Sequence, residues 1–334
     1  MNRAFCSVSI AGCIWLFGPT APTRADVGVD MTAAAQKFAS SLPDQLAAKL
    51  IFQFGDGERL NWHFIPRDRK GVAFREMNEQ QRELAHALLR TGLSETGCEK
   101  ARNVMRLDVK YRELEGPNSR WGKDPFKYCF TFFGKPSLTG PWAWRLEGHH
   151  LSLNFTLRDG RVVGITPAFF GVSPADVREG ELQGLRTLSG EEDKAKALLA
   201  MLDAQQRKAC ITATKAAREV RDVNKPHPAS GDPTGIAAAK MTGPQQAALQ
   251  ALLDAYLANF HPKLAEAARK RIAKAGLDKI HFAWRGEALN HQPHSYQVQG
   301  PTFRIEYINK LDPLPHIHCY FRSVRNDFGL LPGQ

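Results

Sequence analysis

The alternation of apolar and polar residues is clearest over residues 149–157, where it predicts a strand. Large apolar side chains take every second position from Leu151 to Leu157, and small polar residues lie between them. A two-residue period is typical of a strand that packs on one face and presents polar groups on the other. A glycine-containing turn at 158–160 leads into a second apolar stretch over 161–165, which predicts a hairpin.

Similar short segments predict further strands elsewhere in the chain. They lie over residues 128–133, 142–146, 280–284, 295–299, 302–308 and 316–321. The last four follow one another closely, which predicts an antiparallel meander at the C-terminal end.

Helices are predicted where apolar residues recur every three to four positions. They cover two segments between residues 31 and 50, then 78–93, 94–107, 189–214, 242–260 and 262–275. Because strands and helices do not alternate along the whole chain, the pattern predicts an α+β fold, with one or more antiparallel sheets and helices packed on one side. We expect a single α+β domain over residues 26–334 and find no internal repeat in the sequence.

The N-terminal segment has the pattern of a secretory signal peptide over residues 1–25. Arg3 gives it a basic start, residues 4–18 are apolar, and small residues precede the expected cleavage site after Ala25. We therefore expect a periplasmic or secreted protein with no stable membrane span. The residues up to Cys13 resemble a lipoprotein motif, but the apolar stretch continues past this cysteine, which favours simple cleavage.

The mature chain would keep four cysteines and a surplus of positive charge. Cys98, Cys129, Cys210 and Cys319 are an even number, which in an exported protein suggests disulfides in one of three pairings. The full chain carries a net charge of +11, which is compatible with an anionic small-molecule or polymer substrate. Much of this charge is spread along predicted helices, and export argues against a nucleic-acid partner.

Histidines at alternate positions of one predicted strand are the strongest chemical signal. His316 and His318 share a face of that strand, with Cα atoms roughly 6.5–7 Å apart. Two imidazoles at this spacing can bind one metal ion. A second pair, His149 and His150, starts the alternating strand. In a regular strand these two side chains point in opposite directions, which favours His150 as the ligand unless a bulge at Gly148 lets both contribute.

The sequence therefore predicts a divalent metal ion bound by His150, His316 and His318, with His149 as a candidate fourth ligand. Three imidazoles with an open position are typical of catalytic zinc, which we favour, although iron or copper would accept the same ligands. Histidines that are packed in the core or lie at the surface without a metal are the alternative.

Four further residues near these strands are candidates for catalysis. Tyr320 shares the face of His316 and His318, so it could donate a proton or bind substrate. Glu147 could transfer protons, and Arg145 and Arg322 could orient an anionic group. For each arginine, a salt bridge within the sheet is the alternative.

These motifs together resemble the domain-of-unknown-function family 3500. The resemblance is carried by W-A-W-R-L-E-G-H-H-L-S-L-N at 142–154, T-P-A-F-F-G at 166–171, Q-G-P-T-F-R-I-E-Y at 299–307, and H-I-H followed by N-D-F-G between 316 and 329. It spans nearly the whole mature chain and implies one large domain that is often exported, but it implies no activity. The chain differs from the family pattern at Cys319, where a small hydroxyl residue is expected, and after Asp327, where the pattern continues toward another histidine.

The function expected from these observations is that of an exported metal-dependent enzyme, most simply a hydrolase, because a bound cation can activate water. Several alternatives stay open. One is an exported protein that binds a metal or ligand without turnover, and another is an iron or copper oxidoreductase on the same ligands. A metal-free enzyme that uses His150 as a base is a further alternative.

Overall fold

The structure is a computed structural model of the chain. It describes residues 26–115, 127–223, 225–229, 231–287, 292–311 and 314–330. The expected signal peptide lies outside these residues and stays a prediction. Among the helices that the structure describes, none is long and apolar enough to cross a membrane.

The described residues form eight α-helices and thirteen strands, joined by loops and short 3-10 turns. The helices are α1 (Val27–Ser40), α2 (Asp44–Leu50), α3 (Glu79–Gly92), α4 (Glu95–Glu115), α5 (Ser189–Met201), α6 (Ala204–Cys210), α7 (Gly243–Leu257) and α8 (Pro262–Ala275). The strands are β1 (Ile51–Phe52), β2 (Val72–Ala73), β3 (Cys129–Phe133), β4 (Pro141–Gly148), β5 (Leu151–Arg158), β6 (Arg161–Gly164), β7 (Ala168–Val172), β8 (Ile211–Ala213), β9 (Ile236–Ala237), β10 (His281–Gly286), β11 (His294–Gln299), β12 (Phe303–Leu311) and β13 (Pro315–Ser323).

The helix predicted over 189–214 is divided in the structure into α5 and α6, with β8 after them. The division lies at Asp203, whose side chain accepts a hydrogen bond of 2.8 Å from the backbone N–H of Gln206. The side chain of Gln206 in turn accepts one from the backbone of Asp203. This reciprocal pair is a capping box that starts a new helix, so the single-helix prediction was wrong here.

All thirteen strands belong to one sheet. Its main path runs β1-β3-β4-β5-β7-β13-β12-β11-β10-β8, and β2, β6 and β9 pair with β3, β5 and β10. Neighbours are antiparallel except for β1 with β3 and β8 with β10. The predicted α+β fold with an antiparallel sheet is confirmed.

One face of the sheet is apolar and packs against the helices. Strand residues such as Phe130, Trp144 and Leu153 share a single core with helix residues such as Leu88 and Leu252. These side chains occupy alternate strand positions, as a two-residue period requires. The helices therefore lie on one side of the sheet, as predicted.

The opposite face is polar, yet it is also buried. Arg145, Asn154 and Glu306 project from it and are each less than a tenth exposed. Loop residues cover this face, and a small apolar cluster that includes Trp62 and Val220 contacts its centre. Water is thus largely excluded from the centre of this face, where side chains can ionise or donate hydrogen bonds.

The chain folds as two halves with the same order of elements. The first half runs α1-α2-β1-β2-α3-α4-β3-β4-β5 and ends with β7, and the second runs α5-α6-β8-β9-α7-α8-β10-β11-β12 and ends with β13. The order of strands in the sheet is palindromic, with β7 beside β13 at its centre. Within the described residues β6 has no counterpart, because it forms an added hairpin strand on β5.

Matching residues of the two halves make matching contacts. Gln81 and Gln245 each complete a capping box at the start of a helix. Gln81 donates to the carbonyl of Ser41 at 2.8 Å, and Gln245 donates to the carbonyl of Met201 at 2.9 Å. Each acceptor lies at the end of the first helix of its own half, so the same interaction ties the same helices together twice.

Reciprocal contacts where the halves meet indicate an approximate twofold axis. Ser94 N–H donates to the carbonyl of Asn259 at 3.1 Å, and His261 N–H donates to the carbonyl of Gly92 at 2.9 Å. The expectation of no internal repeat was therefore wrong. A shared G-x-A-x-x-x-M-x-x-x-Q pattern at 71–81 and 235–245 was the available signal.

The four cysteines of the described chain are buried free thiols. They lie in four different elements, α4, β3, α6 and β13. The expected disulfides are therefore not formed. Burial raises the pKa of Cys129 to about 11 and that of Cys210 to about 12, which disfavours the reactive thiolate.

Two matching glycines provide a test of the repeated architecture. Gly71 and Gly235 have φ values of 97° and 89°, and a Cβ atom at either would lie 2.1 Å from the carbonyl oxygen of Phe130 or Phe282. Strain and overlap should make Gly71→Ala and Gly235→Ala each destabilising by about 2 kcal/mol or more.

Urea unfolding of each variant measures this effect. Gly55→Ala is the control, because a Cβ atom there meets no atom within 4 Å, and we expect a change within about 0.5 kcal/mol. If either Gly71→Ala or Gly235→Ala is as stable as this control, the explanation by backbone strain and overlap is wrong.

Candidate metal centre

The turn between β4 and β5 carries the first two histidines. His149 and His150 form this turn, and His150 has a φ of 61°, in the left-handed region. Strand β5 therefore starts at Leu151 rather than at the predicted residue 149. Because the backbone turns here, the two side chains do not point in opposite directions as in a regular strand. Their rings stack with centroids 3.7 Å apart.

The second pair lies on β13, two strands away. His316 and His318 occupy alternate positions of this strand, and their ring centroids are 4.5 Å apart. Strand β7 separates β5 from β13, and its Gly171 pairs with His318. A Cβ atom at Gly171 would lie 3.0 Å from the ring of His150. Glycine at this position therefore lets the His150 ring lie over β7 and reach the histidines of β13.

Three of the predicted metal ligands converge in the structure. The Nε2 atoms of His150 and His316 are 2.7 Å apart, and the candidate ligand atoms of these two residues and His318 all lie within 4.8 Å of one another. Nitrogens that share a tetrahedral zinc at about 2.1 Å lie roughly 3.4 Å apart. A small outward shift of two rings would therefore suffice to admit an ion.

A carboxylate orients one of these ligands. His318 Nδ1 lies 2.7 Å from Oε1 of Glu219. Burial is the largest single effect on Glu219 and disfavours its ionisation, but His318, the backbone N–H of Val220 and Lys310 together outweigh it, so the pKa of Glu219 is lowered. Glu219 is therefore an acceptor, and the Nδ1 of His318 is the donor to it.

The other nitrogen of His318 faces the cluster. Its Nε2 is buried and has no hydrogen-bond partner within the part of the chain that the structure describes. Burial lowers the pKa of His318, against the opposing effect of Glu219, so the ring stays neutral. A neutral imidazole with Nδ1 donating to a carboxylate has its Nε2 lone pair available, which is the usual arrangement of a metal-bound histidine.

A second carboxylate holds His149. Its Nδ1 lies 2.7 Å from Oδ1 of Asp108 in α4. The hydroxyl of Tyr128 lies 2.7 Å from Oδ2 of Asp108 and 2.6 Å from the carbonyl oxygen of His149. Asp108, His149 and His150 form a second group whose ligand atoms lie within 4.8 Å of one another.

The stacking of His149 on His150 limits what the two rings can do together. A metal ion binds in the plane of an imidazole, and these two rings lie one above the other at 3.7 Å. An ion bound by a nitrogen of His150 would therefore not lie in the ring plane of His149, where a nitrogen of His149 could bind it. The predicted role of His149 as a fourth ligand stays a prediction, and its position next to the three ligands also suits proton transfer.

Aromatic residues form an apolar wall around His318. Phe64 stacks on Phe169 with ring centroids 4.0 Å apart. Both rings lie against His318, at 4.7 Å and 5.5 Å. The carbonyl of Phe64 also accepts a hydrogen bond from the backbone of His150 at 2.8 Å. This wall limits the access of water to the histidines.

Glu147 and Arg145, two predicted catalytic residues, take part in ion pairs on the polar face of the sheet. Glu147 accepts hydrogen bonds from Arg69 at 3.0 Å and from the backbone of His63 at 2.8 Å. Arg145 pairs with Glu58 at 2.7 Å. These contacts support the alternative of a structural ion pair for both, and their catalytic roles stay predictions.

Arg322 and Tyr320, the other two predicted catalytic residues, are also buried away from an open site. Arg322 is 0% exposed, pairs with Asp327 at 2.6 Å, and donates to two backbone carbonyls. Tyr320 packs in the small apolar cluster with Trp62, and burial raises the pKa of its hydroxyl. These contacts support the structural alternative for Arg322, and the catalytic roles of Arg322 and Tyr320 stay predictions.

The sequence did not indicate Asp108, Glu219 or Phe64. Asp108 lies within a long helix, and the other two lie in loops. Their roles depend on contacts between residues far apart in the chain.

Comparison with known proteins connects the chain to one described family. A family model described as a protein of unknown function (DUF3500) matches residues 25–330. No curated protein and no solved structure matches the chain. The resemblance drawn from the sequence motifs is confirmed, and any activity has to be inferred from the geometry of the site.

The variant Glu219→Gln tests whether this carboxylate prepares His318 for metal binding. The amide keeps an acceptor oxygen but loses the charge that holds the Nδ1 proton. We expect about 10- to 100-fold weaker zinc binding, measured by competition with a chromogenic chelator.

The control for this prediction is Glu179→Gln. Glu179 is exposed and has no ion pair with any residue that the structure describes. We expect wild-type zinc affinity for the control. Equal affinity in Glu219→Gln and the wild type would show that the carboxylate has no such role.

Proposed function

This chain belongs to the DUF3500 family of proteins of unknown function, and from the geometry of its histidines we propose that it is a metal-dependent enzyme, most simply a hydrolase. His150, His316 and His318 would hold a divalent cation, with zinc favoured. The expected signal peptide supports action in the periplasm or outside the cell, on a small-molecule or polymer substrate.

One observation carries the metal assignment. The Nε2 of His318 is buried without a hydrogen-bond partner in the described chain, while Glu219 occupies its Nδ1. Leaving a buried polar atom unpaired is unfavourable by about 1–3 kcal/mol. A metal ion shared with His150 and His316 would satisfy this atom.

The assignment to hydrolysis rests on what lies beside the three histidines. A bound divalent cation lowers the pKa of a coordinated water toward about 7 and polarises a scissile group. Asp108 fixes the tautomer and orientation of His149, so that His149 can accept or return a proton. Phe64 and Phe169 keep bulk water away from these groups.

A second candidate function is metal binding without turnover. It is favoured by the burial of His150 and His318, which are 3% and 5% exposed, because a closed site is typical of structural zinc. Iron or copper with redox chemistry would use the same imidazoles, so the identity of the metal separates an oxidoreductase from a hydrolase.

Elemental analysis of the purified mature protein tests the metal assignment. We expect about one equivalent of a divalent metal in the wild type and near zero in His316→Ala, His318→Ala, because only His150 of the three ligands remains. The double variant His261→Ala, His281→Ala removes two histidines outside the site and should keep the metal. A wild type that takes up no metal on reconstitution would end the proposal.

The variant Asp108→Asn tests the catalytic role of His149. The amide preserves the shape of the side chain but disturbs the tautomer of His149, so we expect turnover to fall about 10²- to 10⁴-fold with unchanged metal content. The assay is hydrolysis of a panel of phosphate esters, carboxylic esters and glycosides by zinc-loaded protein.

Two outcomes would contradict this mechanism. Unchanged turnover in Asp108→Asn would show that His149 takes no part in proton transfer. A metal-loaded wild type that hydrolyses no member of the panel would favour the second candidate function.

A further inference from the structure

A cavity of about 720 Å³ lies beside the metal centre in the second half of the chain. The loop over residues 212–221 forms one wall, and the polar face of β10, β11 and β12 forms the other. Its volume is within the range of roughly 300–1,000 Å³ that is typical of small-molecule sites. The cavity does not contain the three histidines, but Glu219 belongs to its wall and holds His318.

The charge of the cavity wall is predominantly positive. Three exposed cationic side chains line it, those of Lys215, Arg218 and Arg285. None of them makes an ion pair with any residue in the described part of the chain. The two carboxylates of the wall are already engaged. Glu219 accepts from His318, and Glu306 pairs with Arg221 at 2.6 Å.

The corresponding place in the first half is occupied by protein. Register within the sheet matches Gln297 of β11 to Arg145 of β4. Arg145 is buried there, pairing with Glu58, and the neighbouring Arg59 lies over Phe54. The two halves share a framework, but the second half leaves a space at this position.

The cationic residue Arg285 is a further difference between the halves. It corresponds in register to Phe133, since Arg285 pairs with Ser295 and Phe133 pairs with Ala143. An apolar side chain in the first half is thus matched, at the cavity of the second, by a cation that has no ion pair with any described residue.

We propose that this cavity binds a small polyanion, whose phosphate or carboxylate groups are recognised by Lys215, Arg218 and Arg285. Guanidinium and ammonium groups form charge-assisted hydrogen bonds with both kinds of anion. The binding itself does not depend on a metal. That the anion is a substrate rests on the proposed hydrolase function. The cavity adjoins the metal centre, because Glu219 belongs to the cavity wall and also holds His318.

Titration calorimetry of the full mature protein with pyrophosphate and with citrate tests the proposal. Both are small polyanions, and the two arms distinguish phosphate from carboxylate recognition. Ionic strength is held constant. We expect the wild type to bind at least one probe, and Lys215→Ala, Arg285→Ala to bind it at least about tenfold more weakly.

A matched control variant loses the same number of positive charges at positions outside the cavity. Lys208→Ala, Lys274→Ala removes two exposed lysines of α6 and α8 that do not line the cavity. We expect it to bind like the wild type. Arg218→Glu provides a second variant at the cavity, and it should weaken binding further by reversing a charge.

Three outcomes would overturn the proposal. The first is a wild type that binds neither probe, and the second is a control variant weakened as much as the cavity variant. The third uses His316→Ala, which removes a proposed metal ligand but keeps the hydrogen bond between His318 and Glu219 in the cavity wall. Loss of anion binding in this variant would show that the anion binds at the metal centre and not in the cavity. Retained binding supports the cavity even if the protein proves to hold no metal.

Discussion

The antiparallel pairing of β7 with β13 is the interaction on which the rest of the structure depends. It runs from Ala168 with Phe321 to Val172 with Ile317, and it joins two half-sheets that would otherwise each end in an unpaired edge. The same register sets Gly171 opposite His318. A slip of one residue would turn every side chain of β13 to the other face of the sheet. The pairing thus fixes both the continuity of the fold and the position of two histidines.

A buried polar face is the second constraint. Taking charged groups out of water is unfavourable unless each finds a partner, and this face satisfies them pairwise. Arg145 meets Glu58, Glu147 meets Arg69, and Arg322 meets Asp327. The partners Glu58, Arg69 and Asp327 lie outside the strands, so these ion pairs attach the segments that cover this face to the sheet.

Much of the fold could be predicted because a strand repeats its environment every two residues. This period placed His316 and His318 on one face and separated the packed side of β5 from its polar side. The left-handed turn at His150 does not follow this period, so the sequence predicted a start of β5 at residue 149, two residues before its start in the structure. Asp108 and Glu219 reach the histidines from a helix and a loop far away in the chain. The repeat was missed because only scattered residues, such as Gln81 and Gln245, keep their identity between the halves.

The three converging imidazoles do not come from one half of the chain. His150 is in the first half, and His316 and His318 are in the second. A cation bound by all three would act as a crosslink across the junction, and its binding free energy would oppose separation of the two halves. Removing it with a chelator would loosen the molecule first at the junction of β7 and β13, where the two half-sheets adjoin. Either half produced alone would lack part of the site, so the bound ion would report that both halves are folded and docked.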